Sequence, residues 1–290
     1  MTGHGHARWR GSWMLLPGLG FLVLLFAAPL LMGLLGSIGI GMGQGGPTLD
    51  HYAQFLHRRT LQVGLLMSIY YGLAPVPVTL VLAIGLALLM RRPFRGSALF
   101  SGLYKLPMAV PGLIVALIVM TLAERGGLLD RLAGPLGLAL PRLVRDPWGV
   151  GVIMATVWKQ LPFMTLVITG AFASIPQDVI DASRSLGAGR WSTLLRVELP
   201  LAMPGISAAV LLTFIGTMGA YAIPDLLGPA IPRPLAVHML SEFGDGHPGL
   251  MNAIGVVLSV FAMVVLLGYQ ALAGRARRLL GGAADGKDTP

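Results

Sequence analysis

Long apolar runs separated by short polar segments dominate this chain, and their length predicts helices that cross a membrane. A helix of about 20 residues spans the hydrocarbon core of a bilayer, and each run is long enough to do so. A membrane β-barrel would instead show segments of about ten residues with alternating polarity. We therefore predict an all-α, polytopic membrane protein with six transmembrane helices. The six runs are Trp13–Ile40, Leu61–Met90, Gly102–Leu122, Trp148–Ala171, Gly205–Leu227 and Met251–Leu272.

Composition supports a membrane protein. Of the 290 residues, 55% are hydrophobic and 11% are charged, against about 25% charged residues in an ordinary soluble domain. These proportions exclude a soluble globular domain and an intrinsically disordered chain. The net charge of +9 does not require a nucleic-acid partner, because basic loops on the cytoplasmic side of a membrane account for it. The chain has no cysteine, which excludes disulfides, thiolate chemistry and cysteine-bound metals.

Basic residues are distributed unequally between the two sides of the membrane that six crossings define. Twelve fall on the side of both termini and seven on the opposite side, so the positive-inside rule predicts that both termini are cytoplasmic. We expect cytoplasmic tails at residues 1–12 and 275–290 around a transmembrane domain at 13–274. The first run is too long for the apolar part of a signal peptide, so we expect it to remain as a span. The twelve lie within 1–12, 91–95, 184–196 and 275–290, and the seven at 58–59, 125–145 and 233.

Motifs for catalysis or energy conversion are missing from the sequence. It has no G-x-x-x-x-G-K-[ST] loop for ATP and no H-E-x-x-H metal motif. Its six histidines fall at or beyond the ends of the apolar runs, and no run holds the paired carboxylates used in general acid–base catalysis. We therefore predict a protein that is not an enzyme and that has no cofactor and no metal site.

Lys159 is the charged residue that stands furthest from water, because it is the twelfth of the 24 residues in its run. An ionisable group at mid-membrane is costly and indicates function by default. We expect Lys159, with Trp158 beside it, either to line a translocation pathway or to face a buried partner. In a pathway, its charge would favour a phosphonate, phosphate or carboxylate over a polycation. Asp225 is a second candidate, either as a group that attracts a cation or as a plain interfacial charge.

The most patterned polar stretch lies between the fourth and fifth runs, at residues 174–200, and is called the 174–200 segment below. We expect Ser174 to cap a short helix that has Pro176 in its first turn. Asp178 and Asp181 suit the N-terminal end of that helix because its dipole favours negative charge there.

Two glycines, Gly187 and Gly189, are expected to end this first helix. A second short helix is predicted over Trp191–Val197, ending before Pro200. The segment would then form a pair of short helices on the cytoplasmic face, with a surface of small side chains that another protein could approach closely. That surface consists of Ala182, Ser183 and Gly187.

The 174–200 segment resembles the EAA loop of bacterial ABC-importer permeases. The pattern of that loop is E-A-A, three residues, G, nine residues and I-x-L-P, and every spacing is matched here. The departures are Asp for Glu, Ser for the second Ala and Val for Ile. The resemblance implies that this loop docks on an ATPase. The matched residues are Asp181, Ala182, Ser183, Gly187, Val197, Leu199 and Pro200.

Other stretches are similar to permeases of the spermidine/putrescine, iron(III), thiamine and phosphonate branch. Among them, Tyr221–Gly228 is most similar to the polyamine-type members of that branch. The family implies the MetI-like permease fold in the bacterial inner membrane. It also implies two permease subunits, identical or different, two cytoplasmic ABC ATPases and an extracytoplasmic solute-binding protein. Closure of the ATPase dimer on ATP would move the EAA loop and switch the pathway. These stretches are Leu106–Gly112, Leu161–Met164 and Tyr221–Gly228.

The alternative from another class is a secondary transporter or channel that functions alone. Such a carrier has no need of a docking loop, so the 174–200 segment separates the two hypotheses. A membrane-embedded transferase is a third possibility, but the sequence offers no catalytic set for it.

Overall fold

The structure is a computed structural model that describes residues 5–41, 46–91, 95–137 and 141–282, with the backbone alone for 5–16 and 273–282. The ends of the predicted tails, 1–4 and 283–290, and the basic residues Arg92 and Lys287 lie outside the described residues. The described part is helical and contains no strand, which confirms the all-α prediction. In chain order the helices are α1 (Gly5–Ser37), α2 (Asp50–His57), α3 (Arg59–Leu73), α4 (Pro75–Met90), α5 (Ser97–Leu103), α6 (Leu106–Ala109), α7 (Gly112–Ala123), α8 (Leu128–Ala133), α9 (Val150–Ala173), α10 (Gln177–Ser185), α11 (Arg190–Thr193), α12 (Leu199–Met218), α13 (Ala222–Leu227), α14 (Leu235–Gly244) and α15 (Pro248–Gly282).

Within the described ranges, six helical segments are long and apolar enough to cross a membrane, as predicted. The chain divides into two compact units, Met1–Gln62 with His238–Val260, and Val63–Val237 with Phe261–Pro290. The six segments are Pro17–Ser37, Arg59–Met90, Gly112–Leu136, Val150–Ala173, Arg190–Met218 and Pro248–Leu272.

The third span differs from the predicted run at Gly102–Leu122. The first half of that run forms the short helices α5 and α6, and the chain is then extended at Val110 before α7 begins. Pro111 explains the break, because proline has no N–H to donate and disfavours helical geometry in the residue before it. The apolar segment consequently runs from Gly112 to Leu136.

The fifth span also differs from its predicted run. It begins at Arg190, well before Gly205, and ends at Met218. The rest of the predicted run, up to Leu227, forms the separate short helix α13. This arrangement places the start of α13 beside the end of α12, next to the cavity described below.

The core of the second unit lies where α4, α9 and α12 pack together. Small side chains on α4 and α12 are fully buried there, and larger side chains of α9 fill the space between them. Gly205 lies at a close approach of α12 to α9, because a Cβ at this position would stand 2.4 Å from the Cβ of Ala171. The interface of α9 with α12 therefore depends on the absence of a side chain at Gly205.

In the first unit, an ion pair joins the end of α2 to α14. Arg58 Nη1 lies 2.9 Å from Glu242 Oε1, and His247 Nδ1 lies 3.1 Å from Glu242 Oε2. The hydroxyl groups of Ser37 and Tyr52 are 2.7 Å apart and link α1 to α2.

Candidate functional site

The first helix of the 174–200 segment is α10, which begins at Gln177 directly after Pro176. The prediction that Ser174 caps this helix is wrong. Helix α9 continues to Ala173, and Ser174 caps its C-terminal end, donating a hydrogen bond of 2.8 Å from Oγ to the Ala171 carbonyl. Pro176 occupies the N-cap position of α10 instead, and Asp178 lies in the first turn as predicted.

Gly187 ends α10 through its backbone conformation. Its φ of +84° lies in the left-handed region that glycine adopts without steric cost. The Gly187 N–H donates to the Arg184 carbonyl at 2.9 Å, and the Ala188 N–H donates to the Ser183 carbonyl at 3.2 Å. This pair of bonds is the Schellman pattern of helix termination, so a glycine here fixes where the chain turns back.

The second helix of the segment does not end before Pro200 as predicted. Helix α11 passes into a π turn at Leu194–Glu198, and this turn leads directly into α12. The Leu199 N–H donates to the carbonyl of Leu194, five residues earlier. Proline conflicts with the four-residue bonding of an α-helix, and the wider turn before Pro200 lets the helix continue. The segment is therefore continuous with the fifth span.

The two helices of the segment are joined through Ser183 and Thr193, whose hydroxyl oxygens are 3.1 Å apart. Thr193 is buried and Ser183 is half-buried. Ser183 stands where the EAA pattern has its second alanine, so this departure from the pattern supplies a bond between the helices.

The outer surface of the segment combines small residues with exposed apolar side chains. Asp181, Ala182 and Gly187 are exposed. Leu186 is 90% exposed and Trp191 is 74% exposed, so two large apolar side chains lie uncovered on this surface. Val197 and Leu199, by contrast, are half-buried, and Pro200 is exposed.

An ion pair connects the segment to the membrane spans. The Glu198 carboxylate, on the π turn, accepts a hydrogen bond from Arg91 Nη1 at the end of α4. The side chain of Glu198 is only 6% exposed. The Arg91 guanidinium also lies 4.4 Å from the centroid of the Phe172 ring, near the end of α9.

Lys159 projects from α9 toward the break in the third span. Its Nζ donates a hydrogen bond of 2.6 Å to the Val110 carbonyl. This carbonyl is free to accept because Pro111, which follows it, interrupts the helix. Lys159 is half-buried, so it is neither enclosed in the core nor fully exposed.

Lys159 lines a cavity of about 230 Å³, called the Lys159 cavity below. Three residues of α9 share this wall because positions three and four apart lie on one face of a helix. The start of α7, the end of α12 and the start of α13 supply the other walls. The lining residues are Gly112, Thr156, Lys159, Gln160, Gly216, Thr217, Ala220, Tyr221, Ala222 and Ile223.

Two residues proposed from the sequence are not part of this lining. Trp158 is 42% exposed, and as the immediate neighbour of Lys159 it is rotated about 100° around the helix. Asp225 accepts a hydrogen bond of 2.9 Å from the hydroxyl of Tyr221, which does line the cavity. Thr156 and Tyr221 were not identified from the sequence as lining residues. The four-residue spacing of Thr156 and Gln160 nevertheless indicates that these two residues share one face of a helix.

An all-α membrane domain with a cavity between its spans and a patterned helix pair beside them is typical of a membrane transport subunit. The chain belongs to the family described as binding-protein-dependent transport system inner membrane component, which matches residues 79–278. It is therefore a multi-pass inner-membrane permease subunit of an ABC importer and not an enzyme. The alternative of a secondary transporter or channel that functions alone is wrong.

Curated relatives carry names that point to different solutes. The chain is 28% identical over 200 residues to the molybdenum transport system permease protein ModB of Escherichia coli (strain K12), covering 67% of this chain and 85% of that protein. It is 34% identical over 133 residues to the spermidine/putrescine transport system permease protein PotB of Haemophilus influenzae, covering 45% of each chain.

The fold is shared with a bacterial alginate ABC transporter whose crystal structure contains an alginate pentasaccharide-bound periplasmic protein. The TM-score is 0.77 at 19% sequence identity, over 93% of this chain and 96% of the other. This agreement confirms the predicted permease fold.

Proposed function

We propose that this chain is the subunit through which a small polar solute crosses the inner membrane after delivery by an extracytoplasmic binding protein. A dimer of cytoplasmic ABC ATPases supplies the energy, and a second permease subunit, identical or different, completes the pathway. Candidate solutes from the sequence are a polyamine, a phosphonate, thiamine or an iron species. The structure of the 174–200 segment carries this proposal.

The segment has the properties of a docking element. Its first helix ends in a Schellman turn at Gly187, its two helices are tied through Ser183 and Thr193, and its exposed face carries Leu186 and Trp191. A linker between spans needs none of these features. Continuity of the second helix with the fifth span gives a docked ATPase a direct mechanical path into the membrane.

The predicted topology supports a position of this docking element on the same side of the membrane as the cytoplasmic ATPase. The excess of basic residues on the side of residues 1–12, 184–196 and 275–290 supports cytoplasmic termini. The same arrangement puts the 174–200 segment in the cytoplasm.

Co-purification of the ATPase with an affinity-tagged full-length chain tests the proposal. We expect an ABC ATPase to be recovered with the wild-type chain and at least tenfold less with Ala182→Trp, because a large side chain on the exposed face of α10 blocks close approach. The matched control is Ser259→Trp, a bulky replacement at an exposed position of α15 outside the segment, which should leave recovery unchanged. Equal recovery from both variants, or none with the wild type, would refute the docking role.

A further inference from the structure

Five of the ten described residues that line the Lys159 cavity have side chains that can donate a hydrogen bond, and none of the ten carries a carboxylate. We propose that it binds a small oxyanion, or a solute carrying a phosphate or phosphonate group, as that solute passes through the importer. The inference rests on the proposed function, since it names the class of solute that the pathway admits. A volume of about 230 Å³ is below the roughly 300 to 1,000 Å³ of pockets for drug-sized ligands, so the solute is small.

Lys159 supplies a positive charge with no neutralising partner in the described part of the chain. Its hydrogen-bond partner is the neutral Val110 carbonyl, and no carboxylate of the described residues lies within 4.0 Å of its ammonium group. An ammonium has three N–H donors, of which the Val110 carbonyl takes one. A charge held between membrane spans is costly, and an anion in the cavity would offset that cost.

Thr156 provides an independent sign that the cavity is built for a polar occupant. The residue is 7% exposed and lines the cavity, yet its hydroxyl makes no hydrogen bond to any residue that the structure describes. Two other threonines of α9, Thr165 and Thr169, instead donate to the carbonyl four residues earlier at 2.7 Å. Thr156 does not make this bond, so its hydroxyl is available to an occupant of the cavity.

The start of α7 adds a third source of donors. Gly112 lines the cavity, and no side chain caps the first N–H groups of this 12-residue helix. Uncapped N–H groups at a helix N-terminus bind anions, and the helix dipole favours negative charge there. A Cβ built on Gly112 would stand 4.0 Å from Lys159 Cε, so the helix end and the lysine face the same space.

These donors come from different walls of the cavity, and they disfavour the binding of a polycation. Lys159, Thr156 and Gln160 come from α9, while Gly112 comes from α7. Asp225 is bonded to the lining residue Tyr221 but lies outside the lining itself. A polyamine entering the cavity would meet the charge of Lys159 without a carboxylate to bind it.

Equilibrium binding to the purified full-length chain in nanodiscs tests the inference. The probes are molybdate, orthophosphate, methylphosphonate and spermidine. We expect at least one oxyanion to bind and spermidine not to bind. Lys159→Gln should weaken oxyanion binding about 10- to 100-fold, the range for a lost charged hydrogen bond, with partial recovery in Lys159→Arg.

Thr156→Val should weaken oxyanion binding about fivefold, as expected for one neutral hydrogen bond. The matched control is Thr169→Val, since that hydroxyl bonds within its own helix and should leave binding unchanged. Binding of spermidine alone, of no probe, or of oxyanions with equal affinity to wild type and Lys159→Gln would overturn the inference. Co-purification of the ATPase is measured in parallel for the wild type and each variant. If the wild-type chain recovers no ATPase, the proposed function is overturned instead.

Discussion

Arg91 and Glu198 form an ion pair that joins the end of α4 to the π turn of the 174–200 segment. Because the same guanidinium lies over the Phe172 ring, the segment, the second span and the fourth span meet at Arg91. Glu198 is almost completely buried, so the pair is shielded from the water that weakens exposed ion pairs. We expect movement of the segment to reach α4 and α9 through this contact.

Glu198→Gln should lower both stability and coupling. Removing one charge of a buried pair leaves the other uncompensated and costs roughly 3 kcal/mol, less here because Arg91 is partly exposed. Thermal unfolding in detergent measures the loss of stability, and solute taken up per ATP hydrolysed in proteoliposomes measures coupling. Arg196→Gln, an exposed change on the same turn, is the control. An unchanged uptake ratio in Glu198→Gln would contradict the role given to the pair.

Substitutions at Gly187 can separate the effect of backbone geometry from the effect of side-chain bulk on the 174–200 segment. Gly187→Val forces a β-branched residue into a left-handed conformation, which costs about 1 to 2 kcal/mol or more, whereas asparagine tolerates that conformation better. We expect Gly187→Val to insert normally but to uncouple ATP hydrolysis from uptake, and Gly187→Asn to keep a larger part of transport. The measurement is uptake and ATP hydrolysis in the same proteoliposomes. Full transport by Gly187→Val would show that the turn is not needed for coupling.

Gly205 should tolerate no side chain while Ala171 faces it. Gly205→Ala places a Cβ 2.4 Å from that of Ala171, and overpacking of this kind costs about 1 to 3 kcal/mol. Adding Ala171→Gly should restore the lost stability, because it removes the opposing methyl group. Gly170→Ala has no atom within 4 Å of its new Cβ and serves as the control. Thermal unfolding of the wild type and these three variants compares these effects, and a double variant no more stable than Gly205→Ala would exclude the contact as the cause.

The membrane orientation can be tested directly because the chain contains no cysteine. Ser185→Cys lies at the exposed end of α10, and Asp245→Cys is exposed directly after α14. With cytoplasmic termini, a membrane-impermeant maleimide should label Asp245→Cys in intact spheroplasts and Ser185→Cys only after lysis. The reverse pattern would invert the topology proposed from the basic residues.

Residue types and spacing were sufficient to predict the number of spans, the place of the 174–200 segment and the turn at Gly187. Apolar length alone determines whether a helix can cross a bilayer, and glycine at position 187 is required by a local backbone conformation. Both are properties of short stretches of chain, so they are visible before folding is known.

The misplaced features depend on contacts between distant parts of the chain. Ser174 resembles an N-cap, but the preceding helix extends to it and uses its hydroxyl first. The run that contains Pro111 is predominantly apolar on both sides of this proline, so hydrophobicity does not reveal the break, whose free carbonyl accepts a hydrogen bond from Lys159 of another span. Trp158 adjoins Lys159 in sequence, whereas helical geometry brings Thr156 to the cavity in its place.

The π turn at Leu194–Glu198 has a practical consequence for numbering positions along the fifth span. It contains one residue more than an α turn, and each residue of an α-helix advances by about 100°. A helical wheel drawn continuously from Arg190 to Met218 therefore misassigns, by about that angle, the faces on one side of the turn. Scanning substitutions spaced by three or four residues should restart their count at Leu199, and α11 should be counted separately.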